Sequence, residues 1–232
     1  MRVLVGCEFS GAVRDAFRAR GHEAMSCDLL DTDVPGPHYK GDIFDVLRKP
    51  ERFFTGPIDL GIFHPPCTYS ANSGFFHVYR DHSDDPAVLV GHDRWKALID
   101  GAVFFRQLLD ADIPKVAVEN PLMVGWAAKI IGRKQDQVIH PYEFGHLERK
   151  ATGLWLRGLP PLVPTEDVKA ATLALPYSET AKVHHASPGP ERAKERSKTY
   201  AGIARAMAEQ WGEPGRDDLL GDMRATFHGG AS

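Results

Sequence analysis

Cysteine is scarce in this chain: three residues among 232, Cys7, Cys27 and Cys67, and no CxxC pair. An odd count at such spacing excludes a disulfide scaffold and a zinc ribbon, and it points to a reduced compartment. Long hydrophobic runs are lacking too. No apolar stretch approaches the roughly 18 residues that a membrane span needs. The opening Met1-Arg2-Val3-Leu4-Val5-Gly6 has neither the long apolar stretch nor the cleavage site of a signal peptide. A cytoplasmic location is therefore expected. No charge sign dominates, since 28 Lys+Arg stand against 31 Asp+Glu for a net charge of -3. There is no internal repeat and no low-complexity tract. GxGxxG is absent, which makes a pyrophosphate-bearing dinucleotide a poor fit. His77, His82 and His92 lack helical HxxxH spacing, so no metal site is expected.

What is present suits a globular chain with one main domain. Hydrophobic residues make up 43% and charged residues 25%, close to ordinary values, which excludes global disorder. Residues 2–7 form a short apolar, β-branched run and read as a buried strand. Ser10-Gly11 then opens a helical pattern through Ala12, Val13, Ala16 and Phe17, stopped by Gly21. Residues 22–27 read as a second strand and residues 58–63 as a third. Helical spacing occupies 98–109, a further strand 115–118, and a last helix 199–211. Strands alternating with helices predict an α/β protein with a mostly parallel sheet and helices on both faces.

The chemistry-bearing residues fall just past the predicted strand ends. They are Glu8 to Gly11, Asp28, His64 to Cys67 and Glu119 to Pro121, and open parallel sheets bind ligands along that edge. A glycine at a strand–helix turn lets a ligand approach the backbone, and the free N–H groups of a helix start favour anionic groups. Asp28, in the next strand, is placed to accept hydrogen bonds from ribose hydroxyls. A nucleoside cofactor without phosphates fits this pattern, an ordinary tight turn being the alternative. In His64-Pro65-Pro66-Cys67 two prolines stiffen the strand end and present a thiol, the side chain able to act as a nucleophile. Cys7 and Cys27, inside apolar strands, read as small buried hydrophobes. Glu119 beside a sheet-edge thiol is a candidate to hydrogen-bond a bound ring.

These segments, in this order, resemble the motifs of cytosine-5 DNA methyltransferases, most closely the short phage- and prophage-type members. The resemblance spans about residues 1–212 and includes a stretch at 137–162, with Phe144-Gly145-His146 and Leu154-Trp155-Leu156, and the tail Arg196-Ser197-Lys198-Thr199-Tyr200-Ala201-Gly202-Ile203-Ala204. It implies a Rossmann-like methyltransferase fold that takes S-adenosylmethionine. Phe9, Ser10 and Gly11 correspond to the cofactor loop, Asp28 to the ribose-binding acid, and Asp42 with Ile43 to the adenine-contacting position. Pro65, Tyr200 and Gly202 join this cofactor set. Cys67 is the implied nucleophile and Glu119 the residue that binds the cytosine edge. Pro66, Asn120, Arg149 and Lys150 are the implied substrate contacts. The implied partner is DNA, with the target cytosine flipped out or single-stranded.

The sequence departs from the pattern where recognition would occur. Only 37 residues lie between Gly158 and Arg196, so a large recognition domain is missing. The expected organisation is a methyltransferase domain over 1–212, with a mobile active-site loop at 70–93 and a reduced recognition region at 159–195. A polar tail follows over 213–232. Residues 182–205 carry six Lys+Arg against two Glu, which suits contact with phosphates. Two other readings stay open: an amino-methyltransferase acting on adenine N6 or cytosine N4, and a catalytically silent nucleic-acid-binding relative.

Overall fold

The computed structural model describes residues 1–71, 79, 89–181 and 198–213. Most of the predicted 70–93 loop, the greater part of the basic 182–205 stretch and nearly all of the 213–232 tail lie outside the described residues.

Seven strands form one sheet in the order β3-β2-β1-β4-β5-β7-β6. They are β1 (Arg2–Gly6), β2 (Glu23–Asp28), β3 (His38–Lys40), β4 (Leu60–Phe63), β5 (Lys115–Pro121), β6 (Gln137–Ile139) and β7 (Thr152–Arg157). The pairings from β3 through β5 are parallel, and β7 runs antiparallel to both β5 and β6. The helices are α1 (Ala12–Ala19), α2 (Ile43–Arg48), α3 (Gly91–Leu109), α4 (Gly125–Ile131), α5 (Lys169–Ala174), α6 (Tyr177–Thr180) and α7 (Ala201–Trp211). This is the mostly parallel, Rossmann-like α/β fold expected from the sequence.

Side-chain alternation along the strands sends successive residues to opposite faces and divides the core in two. Leu4, Cys27, Phe63, Val116 and Val118 face α2, α3 and α4 through Val46, Leu98, Phe105, Leu108 and Ile131. Val3, Val5, Leu60, Ile62, Ala117 and Leu154 face α1 and α7 through Val13, Phe17, Ile203, Met207 and Trp211. Helices thus cover both faces. Among the described residues, no helix is long and apolar enough to cross a membrane.

Several details differ from the sequence reading, among them a β5 that runs on to Pro121, so that Glu119 to Pro121 lie within the strand rather than past its end. The strand His38–Lys40 was not anticipated, because it has three residues, none fully buried, and lies at the sheet edge. Helix α3 begins at Gly91, so residues expected in the loop belong to its first turn. The predicted third strand begins at Leu60 rather than at residue 58. Cys7 lies past β1 instead of inside it, with a left-handed φ of 56°, where the chain turns to deliver Glu8.

Candidate active site

The strand order reverses direction between β1 and β4, and at such a switch point the loops after the strands diverge and leave a crevice. The first loop, after β1, is held by Glu8, which is buried. Its carboxylate accepts the Val13 amide at 2.7 Å, the Arg14 amide at 3.3 Å and the Ser10 hydroxyl at 3.4 Å. Gly11 enters α1 at φ 76°, a conformation that side chains disfavour. The sequence reading offered the N–H groups of this helix start to an anionic ligand. They are instead held by a carboxylate of the chain itself. Burial pushes the Glu8 carboxyl above the usual range, against the pull of His64, the two amides and Arg14.

Phe9 is buried, and its carbonyl accepts the Asp33 amide at 2.9 Å. Asp28, half-buried at the end of β2, accepts the Leu30 amide at 2.9 Å. Asp42 is exposed and caps α2 by accepting the Phe44 amide at 2.9 Å, while Ile43 is buried beneath it. The loop between β2 and β3 is fastened from below by the fully buried Arg14. Its guanidinium donates to Asp15, Ser26, Thr32 and the carbonyls of Val34 and Pro35. Cys27 is buried, and its thiol is pushed up to about 12 by that burial and by Asp28 and Asp42 nearby. Cys7 is raised in the same way, chiefly by burial, so neither is a reactive thiol.

The second loop, after β4, carries His64-Pro65-Pro66-Cys67. Pro65 is buried, Pro66 is exposed and Cys67 is half-buried. The loop is tied to β5 at several points. Asn120, itself buried, donates from Nδ2 to the Pro65 carbonyl at 2.8 Å. The Cys67 carbonyl accepts the amides of Ser70 and Ala71, the Ser70 carbonyl accepts the Val124 amide, and Ala71 bridges to Met123. Arg94 of α3 donates to the Thr68 carbonyl at 2.8 Å and lies over the Tyr69 ring. Glu119 on β5 meets His64 at 3.0 Å between Oε2 and Nδ1. Cys67 and Glu119, 52 positions apart, thus come from adjacent strand ends that are bonded to each other.

Glu119 opens onto a small cleft lined also by Lys150, Thr152, Lys198, Thr199, Tyr200 and Ile203. Three predicted site residues, Glu119, Lys150 and Tyr200, therefore share one cavity. Arg149 does not line it. Its guanidinium donates to the carbonyls of Thr172, Leu173 and Leu175 and holds the α5–α6 segment. Gly202 is buried at the start of α7, where its amide donates to His146 Nε2 at 2.9 Å. Lys198 pairs with Asp33 at 3.3 Å and so joins the segment before α7 to the loop after β2. Lys198, Thr199 and Ile203 belong to the tail segment 196–204 that carries the resemblance, although none was singled out as a site residue, and Thr152 was not singled out either; the antiparallel β7 brings it beside them. Among the described residues there is no cluster of metal-ligating side chains. His92 is exposed, and His77 and His82 lie outside the described residues.

No family model and no curated protein matches the sequence. Among solved structures, one similar chain is an Escherichia coli protein provisionally described as a DNA modification methyltransferase encoded within a prophage. It shares 13% identity and a TM-score of 0.43, covering 67% of this chain and 46% of its own. The chain thus spans less than half the length of that structure. Its functional reading rests on its own residues.

Proposed function

We propose that the chain is an S-adenosylmethionine-dependent DNA (cytosine-5)-methyltransferase. The observation that carries this reading is the joining of a proline-stiffened thiol, Cys67, to a carboxylate, Glu119, across the Asn120–Pro65 and His64–Glu119 hydrogen bonds. The β1 edge supports the cofactor class. Glu8 occupies the α1 amides that a pyrophosphate would need, while Asp28 and Asp42 offer carboxylates for hydroxyl and amino groups. That set of acceptors fits a cationic nucleoside without phosphates. Phe9, Ser10, Gly11, Asp28, Asp42, Ile43, Pro65, Tyr200 and Gly202 would hold it. When bound, S-adenosylmethionine supplies an electrophilic methyl group.

Cytosine C5 is a weak nucleophile. Attack of the Cys67 thiolate on C6 forms a C–S bond and pushes the ring electrons toward C5 and the N3 edge. Glu119 binds the amino and N3 edge of the ring and stabilises the adduct. C5 would then take the methyl group, with S-adenosylhomocysteine as the leaving group. Loss of the C5 proton to water and expulsion of the thiolate would restore the aromatic ring. A cytosine paired inside a duplex cannot reach Cys67, so the target is flipped or single-stranded. The short 159–195 region leaves little room for base readout, which favours weak sequence preference.

The test is covalent trapping. DNA carrying 5-fluorocytosine, incubated with the protein and S-adenosylmethionine, yields an adduct stable to denaturing electrophoresis, because fluorine cannot leave as a proton does. Cys67→Ser abolishes both the adduct and turnover. Methylation of ordinary DNA without any adduct would identify an amino-methyltransferase, and binding without methylation a silent relative.

A further inference from the structure

His64 has no part in the reaction as written, yet its ring is enclosed at the site. Its side chain is 5% exposed and meets a Glu119 side chain that is 15% exposed. An ionised carboxylate can only accept, so the imidazole carries a proton on Nδ1 and donates it to Oε2. That leaves Oε1 as the Glu119 oxygen free to serve the cleft. Nε2 of the same ring is buried without a hydrogen-bond partner, so the imidazole is not held there by a second bond. His64 also occupies the position directly before Pro65-Pro66-Cys67, and its amide continues the sheet by donating to the Gly6 carbonyl at 2.9 Å. The ring that orients Glu119 is therefore fixed to the backbone that carries Cys67.

We propose that His64 is a positioning residue, which fixes the orientation of the Glu119 carboxyl group relative to Cys67 through the Nδ1–Oε2 hydrogen bond. This rests on the methyltransferase reading and adds to it the residue that ties the two reacting groups together. The electrostatics agree with the geometry. Burial alone would raise the Glu119 carboxyl, but the His64 hydrogen bond, the Lys150 charge and the His64 ring bring it below the usual range. The groups facing the pair are Glu8 from the end of β1, whose carboxylate is coupled to His64, and Lys150 from the segment before β7. Arg14 of α1 acts on Glu8 from behind.

The experiment compares wild type with His64→Ala and His64→Asn, the second keeping an N–H donor. In His64→Ala, kcat falls by about ten- to a hundredfold, the range expected when a buried charged acceptor loses its donor. KM for DNA and for the cofactor stays within about twofold, as expected when ground-state binding is untouched. His64→Asn recovers much of the rate. Full activity in His64→Ala would overturn the proposal, as would an equal loss of rate in His64→Asn. A carboxyl ¹³C titration of Glu119 reads the same bond without turnover. Its pKa rises in His64→Ala if His64 holds it down and stays put if it does not. Absence of methylation in wild type would overturn the reading of function, a result distinct from either outcome here.

Discussion

Gly202 lies where α7 meets the rest of the protein, and replacing it with alanine separates a packing role from a ligand-binding one. An ideal Cβ there would stand 2.0 Å from the Phe144 carbonyl oxygen, where real Cβ contacts essentially never fall below 3.0 Å. The obstacle is backbone, and Phe144 is itself 1% exposed, so it cannot rotate away. Helix α7 must retreat by about 1 Å or more to relieve the contact. That motion stretches the Gly202–His146 hydrogen bond and loosens a helix whose Ile203, Ala206, Met207 and Trp211 are buried against the sheet. Overpacking costs about 1–3 kcal/mol, and the lost hydrogen bond adds about 1 kcal/mol. Gly202→Ala should therefore lose roughly 2–4 kcal/mol in urea unfolding and lower Tm by roughly 5–15 °C. Gly101, inside α3, provides the opposite case. Nothing lies within 4 Å of its added Cβ, so Gly101→Ala should gain about 0.5–1 kcal/mol from helix propensity alone. A Gly202→Ala protein as stable as wild type would refute the steric reasoning and leave ligand contact as the sole reason for that glycine.

Asp28→Ala should weaken binding of S-adenosylhomocysteine by about tenfold or more in calorimetry, as expected for losing a charge-assisted hydrogen bond; unchanged binding would remove the ribose assignment. Asp59, joined to Arg2 by two hydrogen bonds to the guanidinium and one to the amide, makes the fold acid-sensitive. Burial raises its carboxyl, but the Arg2 side chain and amide outweigh that and bring it below the usual aspartate range. A depressed carboxylate contributes stability above its unfolded pKa and loses it as pH falls through the folded one. Asp59→Asn should thus be less stable than wild type near neutrality, with the two denaturation curves converging below about pH 3.8; a constant gap across pH would exclude the linkage.

The parallel half of the sheet was legible because buried parallel strands are continuous apolar runs, as in Val3-Leu4-Val5 and Val116-Ala117-Val118. The strand-end residues followed from those assignments, which is why Asp28, Cys67 and Glu119 emerged together. What stayed hidden depends on distance or direction. The hydrogen bond of His64 to Glu119 joins residues 55 positions apart. The antiparallel insertion of β7 brings Lys150 and Thr152 beside Tyr200, and no local period announces it. Arg149 and Lys150 look equivalent as neighbouring cations, yet one holds carbonyls of the α5–α6 segment while the other lines the cleft. Glu8 was quoted as a loop residue, but a carboxylate that caps the helix behind it cannot be told by spacing from one that faces a ligand.

The way the edge is fastened also bears on how a thiol and a carboxylate can act on one ring. In the proposed reaction, attack at C6 and support at the amino edge must coincide within about 0.5 Å, and loops set such distances poorly. Here the thiol loop is not left to itself. Pro65 is locked by proline geometry and by Asn120, the residue directly after Glu119 on β5, so the two groups share one short covalent and hydrogen-bonded frame. Thr68 is held separately by Arg94 from α3, and Ser70 and Ala71 by the chain after β5. Substituting Asn120 would therefore loosen Pro65 while leaving the Cys67 carbonyl bonds in place, and would shift the nucleophile relative to Glu119 without removing either. Rigidity at this edge comes from β5, which supplies both Glu119 and the Asn120 bond that holds the loop carrying Cys67.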